Sequence, residues 1–238
     1  MTSANDRKAL IIGASRGSGY ALAAEYLARG WQVVATVRGL ARTELHALAE
    51  SSDGRLTVDT LDITVPEQIA SLRERLEPGT FDLLFVNAGA ANGREETVAE
   101  VSTDTFVHLM VTNALSPMRV VEALQDLVVP DGTIGVMSSA LGSIADNERG
   151  GFESGDFEIM RASKSALNQL MRSFAARHAG DPHTLLLIAP GSAQTGLGGE
   201  DATLTVEQSI AQVVDTITAQ AGKGGLQYLD YQGRVVRW

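Results

Sequence analysis

Three glycines raise the first chemical possibility in this chain. Gly13, Gly17 and Gly19 form a Gly-x-x-x-Gly-x-Gly cluster, with Ala14, Ser15, Arg16 and Ser18 between them. The cluster follows the apolar run Ala9-Leu10-Ile11-Ile12 and precedes a helical pattern from Tyr20 to Arg29. Glycine admits positive φ and lets another group come close to the backbone. A helix that starts directly after such a turn offers free N–H groups and a positive dipole end to an anion. A glycine cluster alone is also what a plain tight turn looks like. Its placement between a first strand and a first helix is what points to the pyrophosphate of a dinucleotide. Gly13, Ser15, Arg16, Gly17 and Gly19 are therefore candidate cofactor residues.

The second apolar run, Gln32 to Val37, is followed by Arg38. Sites that select NAD commonly place an acid at the end of this strand to hold the ribose 2′-hydroxyl. Val37 occupies that position here. Arg38 and Arg16 could instead bring two guanidinium groups to a 2′-phosphate. This favours NADP(H) over NAD(H). The bland alternative is that Arg38 only solvates a loop.

Composition narrows the remaining classes. The net charge is −10 over 238 residues. Nucleic acid and anionic membranes are thus poor partners, and an anionic cofactor needs a local positive pocket. There are no cysteines, which excludes disulfides and thiolate metal sites. His46, His108, His178 and His183 are scattered without ligand spacing, so no metal is expected. No apolar run approaches the roughly 18 residues of a membrane span. Met1 to Lys8 is polar and lacks the apolar stretch of a signal peptide. A cytoplasmic location is the expectation.

The elements that must position these residues alternate along the chain. Strands are expected at Ala9–Ile12, Gln32–Val37, Leu56–Leu61, Phe81–Val86, Thr133–Met137, Leu185–Ile188 and Leu226–Leu229. Helices are expected at Tyr20–Arg29, Ala41–Glu50, Pro66–Leu76, Thr105–Leu127, Ile159–Ala179 and Val206–Ala219. Pro117 should bend the long fourth helix. The alternation predicts a single α/β domain over residues 1–238, a doubly wound parallel sheet of about seven strands of Rossmann type. The least regular stretch, Ala140 to Asp156, is a candidate active-site loop or lid.

Further short motifs occur in order along this framework: Asp62-Ile63, Asn87-Ala88-Gly89, Asn113, Ser138-Ser139, Met160-x-x-x-Lys164, Pro190-Gly191 and Thr195. Together with the glycine turn they give the chain a resemblance to the short-chain dehydrogenase/reductase family over nearly its whole length. The resemblance implies that Asp62 and Ile63 contact adenine, and that Asn87, Ala88 and Gly89 line the cofactor and support the sheet. It implies that Asn113 helps bind a catalytic water and that Ser139 orients the substrate carbonyl. Lys164 would hold the nicotinamide ribose, and Pro190, Gly191 and Thr195 would embrace the carboxamide. Arg161 to Asn168, Thr195 to Gly199 and Tyr228 to Trp238 resemble the C-factor branch, which includes carbonyl reductases and a protein linked to developmental signalling. The family also implies a homodimer or homotetramer, joined through Thr105–Leu127 and Ile159–Ala179.

One position departs from the pattern. The family carries Tyr-x-x-x-Lys, with the tyrosine as catalytic acid, and Met160 stands in its place. A thioether cannot donate a proton. Positioned acid–base catalysis contributes about 10²–10⁴ in rate, while hydride proximity is a separate gain. Three substitutes are open. A loop acid among Asp146, Glu148, Glu153, Asp156 and Glu158 could serve if burial raised its pKa. A water held by Asn113 and Lys164 could serve, with Ser139 on the carbonyl. Alternatively the reaction changes: related enoyl reductases use Tyr-x-x-Met-x-x-x-Lys, and here Phe157, Met160 and Lys164 match it with phenylalanine for tyrosine. The expected function is NADP(H)-dependent hydride transfer to a small hydrophobic carbonyl or enone. A cofactor-binding sensor or signalling protein, and a non-redox enzyme, are the alternatives. Met160 is catalytic by position, and by residue type it is equally packing filler.

Overall fold

The computed structural model describes residues 7–147, 157–191 and 204–238. Its strands are β1 (Lys8–Ile12), β2 (Gln32–Val37), β3 (Leu56–Thr60), β4 (Phe81–Val86), β5 (Val128–Met137), β6 (Thr184–Ala189) and β7 (Gly225–Asp230). They form one seven-stranded sheet in the order β3-β2-β1-β4-β5-β6-β7, and every neighbouring pair is parallel. The helices are α1 (Gly17–Ala28), α2 (Glu44–Glu50), α3 (Pro66–Arg75), α4 (Thr103–Met110), α5 (Ser116–Leu124), α6 (Ile144–Asn147), α7 (Glu158–Arg177) and α8 (Val206–Gln220).

The central strands β1, β4 and β6 are apolar on both faces because both faces are covered. Leu10, Ile12, Leu84, Val86, Leu185 and Leu187 pack with Ile69, Val121, Leu167 and Phe174, on the side of α3, α5 and α7. Their alternating neighbours Ala9, Ile11, Leu83, Phe85, Leu186 and Ile188 pack with Leu22, Leu45 and Val213, on the side of α1, α2 and α8. The strand order reverses between β1 and β4. In such sheets ligands bind at that reversal, beyond the carboxyl ends of the strands.

Several boundaries differ from the sequence reading, among them the second helix, which begins at Glu44 rather than Ala41; three differences bear on the site and its framework. The first helix begins at Gly17 rather than Tyr20, so the glycine turn itself enters the helix. The fifth strand begins at Val128 rather than Thr133. Pro130-Asp131-Gly132 reads as a turn in sequence, but a register irregularity against Phe81 and Leu83 absorbs it. The long fourth helix is interrupted before Pro117, not at it. Residues Val111–Leu115 form a π turn in which Ser116 N–H reaches back five residues to the Val111 carbonyl. Proline lacks an N–H, and in a regular α-helix its ring clashes with the carbonyl four residues back. For Pro117 that residue is Asn113, so the widened turn falls where a regular one would collide.

Among the described residues no helix is long and apolar enough to cross a membrane. Nor does any group of three histidine or acidic side chains among them cluster so as to hold a metal ion.

Candidate active site

The glycine turn is held by its own tight contacts. Gly13 has φ +87, and a Cβ there would lie 2.8 Å from Ala88. A Cβ on Gly19 would lie 2.0 Å from the Gly13 carbonyl oxygen and 2.7 Å from Asn87 Nδ2. Asn87 in turn donates from Nδ2 to the Gly13 carbonyl at 3.0 Å. Gly13, Gly19, Asn87 and Ala88 thus lock the end of β1 to the end of β4. Gly17 is different: it has φ +56, and nothing lies within 4 Å of a Cβ built on it. Here the backbone at the start of α1 faces open space, which is what a pyrophosphate needs. Ser15 is half-buried within the same turn.

Arg16, in the turn after β1, and Arg38, directly after β2, are exposed, and neither guanidinium has an ion-pair or hydrogen-bond partner among the described residues. Arg38 lies near enough to Asp62 to act on its ionisation. Burial pushes the Asp62 carboxyl up, but hydrogen bonds from Thr64 and the charge of Arg38 outweigh it and hold it below the usual range. The Asp62 carboxylate accepts from both the Thr64 N–H at 2.9 Å and the Thr64 hydroxyl at 2.6 Å. The Ile63 side chain is buried in the core, which leaves its backbone as the part that can face a ligand.

A second cluster lies at the ends of β4 and β5. A Cβ placed on Gly89 would lie 3.4 Å from Asn113 Oδ1 and 3.6 Å from Lys164 Nζ, so these three residues converge. The π turn presents Asn113, which is completely buried. Its amide accepts from Ala90 N–H at 2.7 Å and donates to the Ala90 carbonyl at 2.8 Å. It also donates to Ser163 Oγ at 2.9 Å, and Ser163 donates to the Met160 carbonyl at 2.6 Å. Met160 is buried in the first turn of α7. Lys164, one turn on, donates from Nζ to the Met137 carbonyl at 2.8 Å. Burial pushes its ammonium down from 10.5 to about 8. Met137 leads directly into Ser138 and Ser139. Ser139 Oγ caps a 3₁₀ turn, Ala140–Gly142, by accepting from Leu141 N–H at 3.2 Å. That bond leaves the Ser139 hydroxyl proton free to donate elsewhere. The turn packs directly on α7: a Cβ on Gly142 would lie 2.8 Å from Lys164 Cβ.

The carboxylates considered as substitute donors fall elsewhere. Glu158 is exposed and accepts from Val98 N–H at 3.2 Å. Asp146 pairs with Arg237 at 2.8 Å. Glu148, Glu153 and Asp156 lie outside the described residues, as does Thr195. Pro190 and Gly191 end β6, where Gly191 has φ +77 and packs under the Tyr231 ring. Phe157 adopts φ 59 and ψ 37, a left-handed conformation rare for an aromatic residue. Its N–H donates to the Arg94 carbonyl at 2.7 Å, which fastens the β4–α4 loop to the entrance of α7.

Sequence reasoning did not find what holds Ser139 and Lys164: the Tyr228 phenol on the Ser139 carbonyl, Asn168 on the neighbouring Ser138, and the Met137 carbonyl on Lys164. Only the apolar context of Tyr228 hinted at burial, and nothing local hinted at its partner.

The strand-order reversal, a glycine turn opening a helix, and an Asn–Ser–Lys set beyond the ends of β4 and β5 together define a nucleotide-dependent enzyme site. A family model described as enoyl-(acyl carrier protein) reductase matches residues 13–223. The chain belongs to the short-chain dehydrogenase/reductase family. A structure from Burkholderia multivorans, described as a short-chain dehydrogenase/reductase with bound NADP, is 59% identical with TM-score 0.93. That match covers 98% of this chain and 100% of the other. A carbonyl reductase from Pseudomonas aeruginosa PAO1 in complex with NADP is 34% identical, with TM-score 0.87 and the same coverage. The 1-hydroxy-2-glutathionyl-2-methyl-3-butene dehydrogenase of Rhodococcus sp. (strain AD45) is 29% identical over 239 residues, covering 96% of this chain and 98% of that relative.

Proposed function

We propose that the protein is an NADP(H)-dependent oxidoreductase that reduces a small hydrophobic carbonyl or activated alkene, in a site whose usual tyrosine is replaced by Met160. The convergence of Asn113, Gly89 and Lys164 carries this reading. A site kept only for nucleotide binding needs the lysine but has no evident need of the Ser139 hydroxyl, whose proton is left free to donate.

The residues present fit the cofactor. Gly17 leaves room for the pyrophosphate at the start of α1, and Arg16 and Arg38 carry exposed guanidinium groups, without a partner among the described residues, suited to a 2′-phosphate. The NADP-bound relatives support the same choice. Asp62 and the Ile63 backbone would contact the adenine. Lys164 would bind the nicotinamide ribose, and Pro190 and Gly191 would contact the carboxamide. When bound, NADPH supplies the hydride. Ser139 donates its hydroxyl proton as a hydrogen bond to the substrate oxygen and orients it. The proton that completes carbonyl reduction comes from Lys164 Nζ, directly or through a water held with Asn113. A Lys164 ammonium lowered to about 8 is a far better acid near neutrality than an ordinary lysine. Met160 adds an apolar wall that suits a hydrophobic substrate.

Membership of the C-factor branch belongs to the same reading, as does a homodimer or homotetramer. Phe106 and Val107 on α4, Leu115 on the π turn and Leu170 on α7 are exposed apolar side chains that such an interface would cover.

The test is NADPH oxidation against ketones, aldehydes and enones, with Met160→Tyr beside the parent. The parent should turn over at least one compound, and Met160→Tyr should speed carbonyl reduction by about 10²-fold or more. If the parent binds NADPH but turns over nothing, and only Met160→Tyr is active, the oxidoreductase reading fails. The chain is then a binding protein.

A further inference from the structure

Ser139 is held by residues remote in sequence. Its carbonyl oxygen accepts twice, from Gly142 N–H at 2.9 Å and from the Tyr228 phenol on β7, 89 residues away. Both lone pairs are then used, which fixes the plane of the peptide. On the preceding residue, Ser138 N–H donates to the Ile188 carbonyl at 2.7 Å. The Ser138 hydroxyl donates to Asn168 Oδ1 at 2.6 Å, and Asn168 Nδ2 donates to the Gly142 carbonyl at 3.3 Å. Ser165 Oγ of α7 donates to the same Gly142 carbonyl at 2.9 Å. The Tyr228 phenol lies among the Asn168 and Ser138 side chains.

The tyrosine is itself anchored. Tyr228 is 2% exposed. Its ring centroid is 5.4 Å from that of Trp238, and the Arg172 guanidinium sits 4.5 Å over the Trp238 ring. The Trp238 carbonyl accepts from Ala145 N–H at 2.9 Å, so the segment after β7 also holds the start of α6. A buried phenol needs some acceptor. Here the acceptor is the backbone of the residue whose hydroxyl faces the substrate, and it is gripped from two sides.

We infer that Tyr228, with the Asn168–Ser138 pair, forms a clamp that positions the Ser139 hydroxyl for the substrate oxygen. None of these three touches substrate; they act through Ser139. The inference rests on the reading of Ser139 as the group that orients the carbonyl.

A double-mutant cycle tests it. Tyr228→Phe keeps the ring and removes only the phenol, and Ser139→Ala removes the positioned group. Both variants and the double variant are assayed with NADPH and the best carbonyl substrate. Tyr228→Phe should lower kcat about tenfold or more, with the Kd for NADPH unchanged within about twofold. In the Ser139→Ala background the same change should be silent, because the group it positions is gone. The clamp is refuted if Tyr228→Phe keeps the parent kcat, or lowers it by the same factor with and without the Ser139 hydroxyl. If Ser139→Ala itself leaves kcat intact, or the parent reduces no carbonyl, the functional reading fails first and the clamp falls with it. If Tyr228→Phe does not fold, Ser138→Ala releases the other side of the clamp and carries the same cycle with the same two outcomes.

Discussion

The charge on Lys164 should make the stability of this protein depend on pH in a specific window. Its ammonium is buried, with the Met137 carbonyl as its hydrogen-bond acceptor, and burial lowers it from 10.5 to about 8. The folded chain therefore holds this proton less tightly than the unfolded chain. Below about 8 both states carry the charge, and the folded state bears the whole desolvation penalty. Between about 8 and 10.5 the folded lysine is neutral while the unfolded one is still charged, so the penalty fades as pH rises. Above 10.5 both are neutral and the term is gone. Each pKa unit corresponds to about 1.4 kcal/mol, so the full effect is about 3 kcal/mol. The assay is denaturant unfolding of the parent and Lys164→Met from pH 7 to 11, taking the difference at each pH so that other groups cancel. The parent should be the less stable of the two at pH 7 and should recover relative to the variant by about 3 kcal/mol by pH 10.5. A difference that stays flat across the window, or that moves the other way, would refute the claim that the buried ammonium is desolvated. It would also remove the reason for making Lys164 the proton source.

The glycine turn and the two exposed arginines give two more expectations. Gly19→Ala should destabilise the fold by about 3 kcal/mol or more, because the new methyl meets a backbone carbonyl that cannot move aside. Gly17→Ala should cost only about 1–2 kcal/mol for its left-handed φ, yet weaken NADPH binding strongly; thermal unfolding with and without NADPH separates the two cases. Arg38→Ala and Arg16→Ala should each raise the Kd for NADPH about tenfold or more, as expected for a lost charge-assisted bond. Their Kd for NADH should change little; equal losses for both nucleotides by fluorescence titration would argue against a 2′-phosphate site.

Much of this was legible in the sequence for reasons that can be named. Gln32–Val37 and Phe81–Val86 were read to the residue because each is a short apolar run with clear boundaries. The glycine turn was read because its residue type follows from the backbone it must adopt. The π turn was not, since one extra residue in a helix leaves no periodic trace, and Pro117 pointed to the right neighbourhood but the wrong turn. The start of the fifth strand was hidden by Pro130 and Gly132, which look like a turn wherever they occur. The clamp on Ser139 was invisible in principle. Tyr228 and Ser139 are joined by a fold-level neighbour relation between β5, β6 and β7, and no local pattern encodes it. The same holds for Asp146, which looked like a candidate donor until its pairing with Arg237 across 91 positions was seen.

The π turn also sets the phase of everything after it. An α-helix advances about 100° per residue, so the single added residue at Val111–Leu115 rotates α5 by that angle relative to a continuation of α4. The buried set on α5, Met118, Val120, Val121 and Leu124, meets the sheet only in the rotated frame. Deleting one residue to restore a regular helix would swing that set about a quarter turn away from the core, along with Asn113. The irregularity is thus a length constraint on the chain as well as a feature of the site: the buried Asn113 and the hydrophobic stripe that follows it share one register and can be shifted only together.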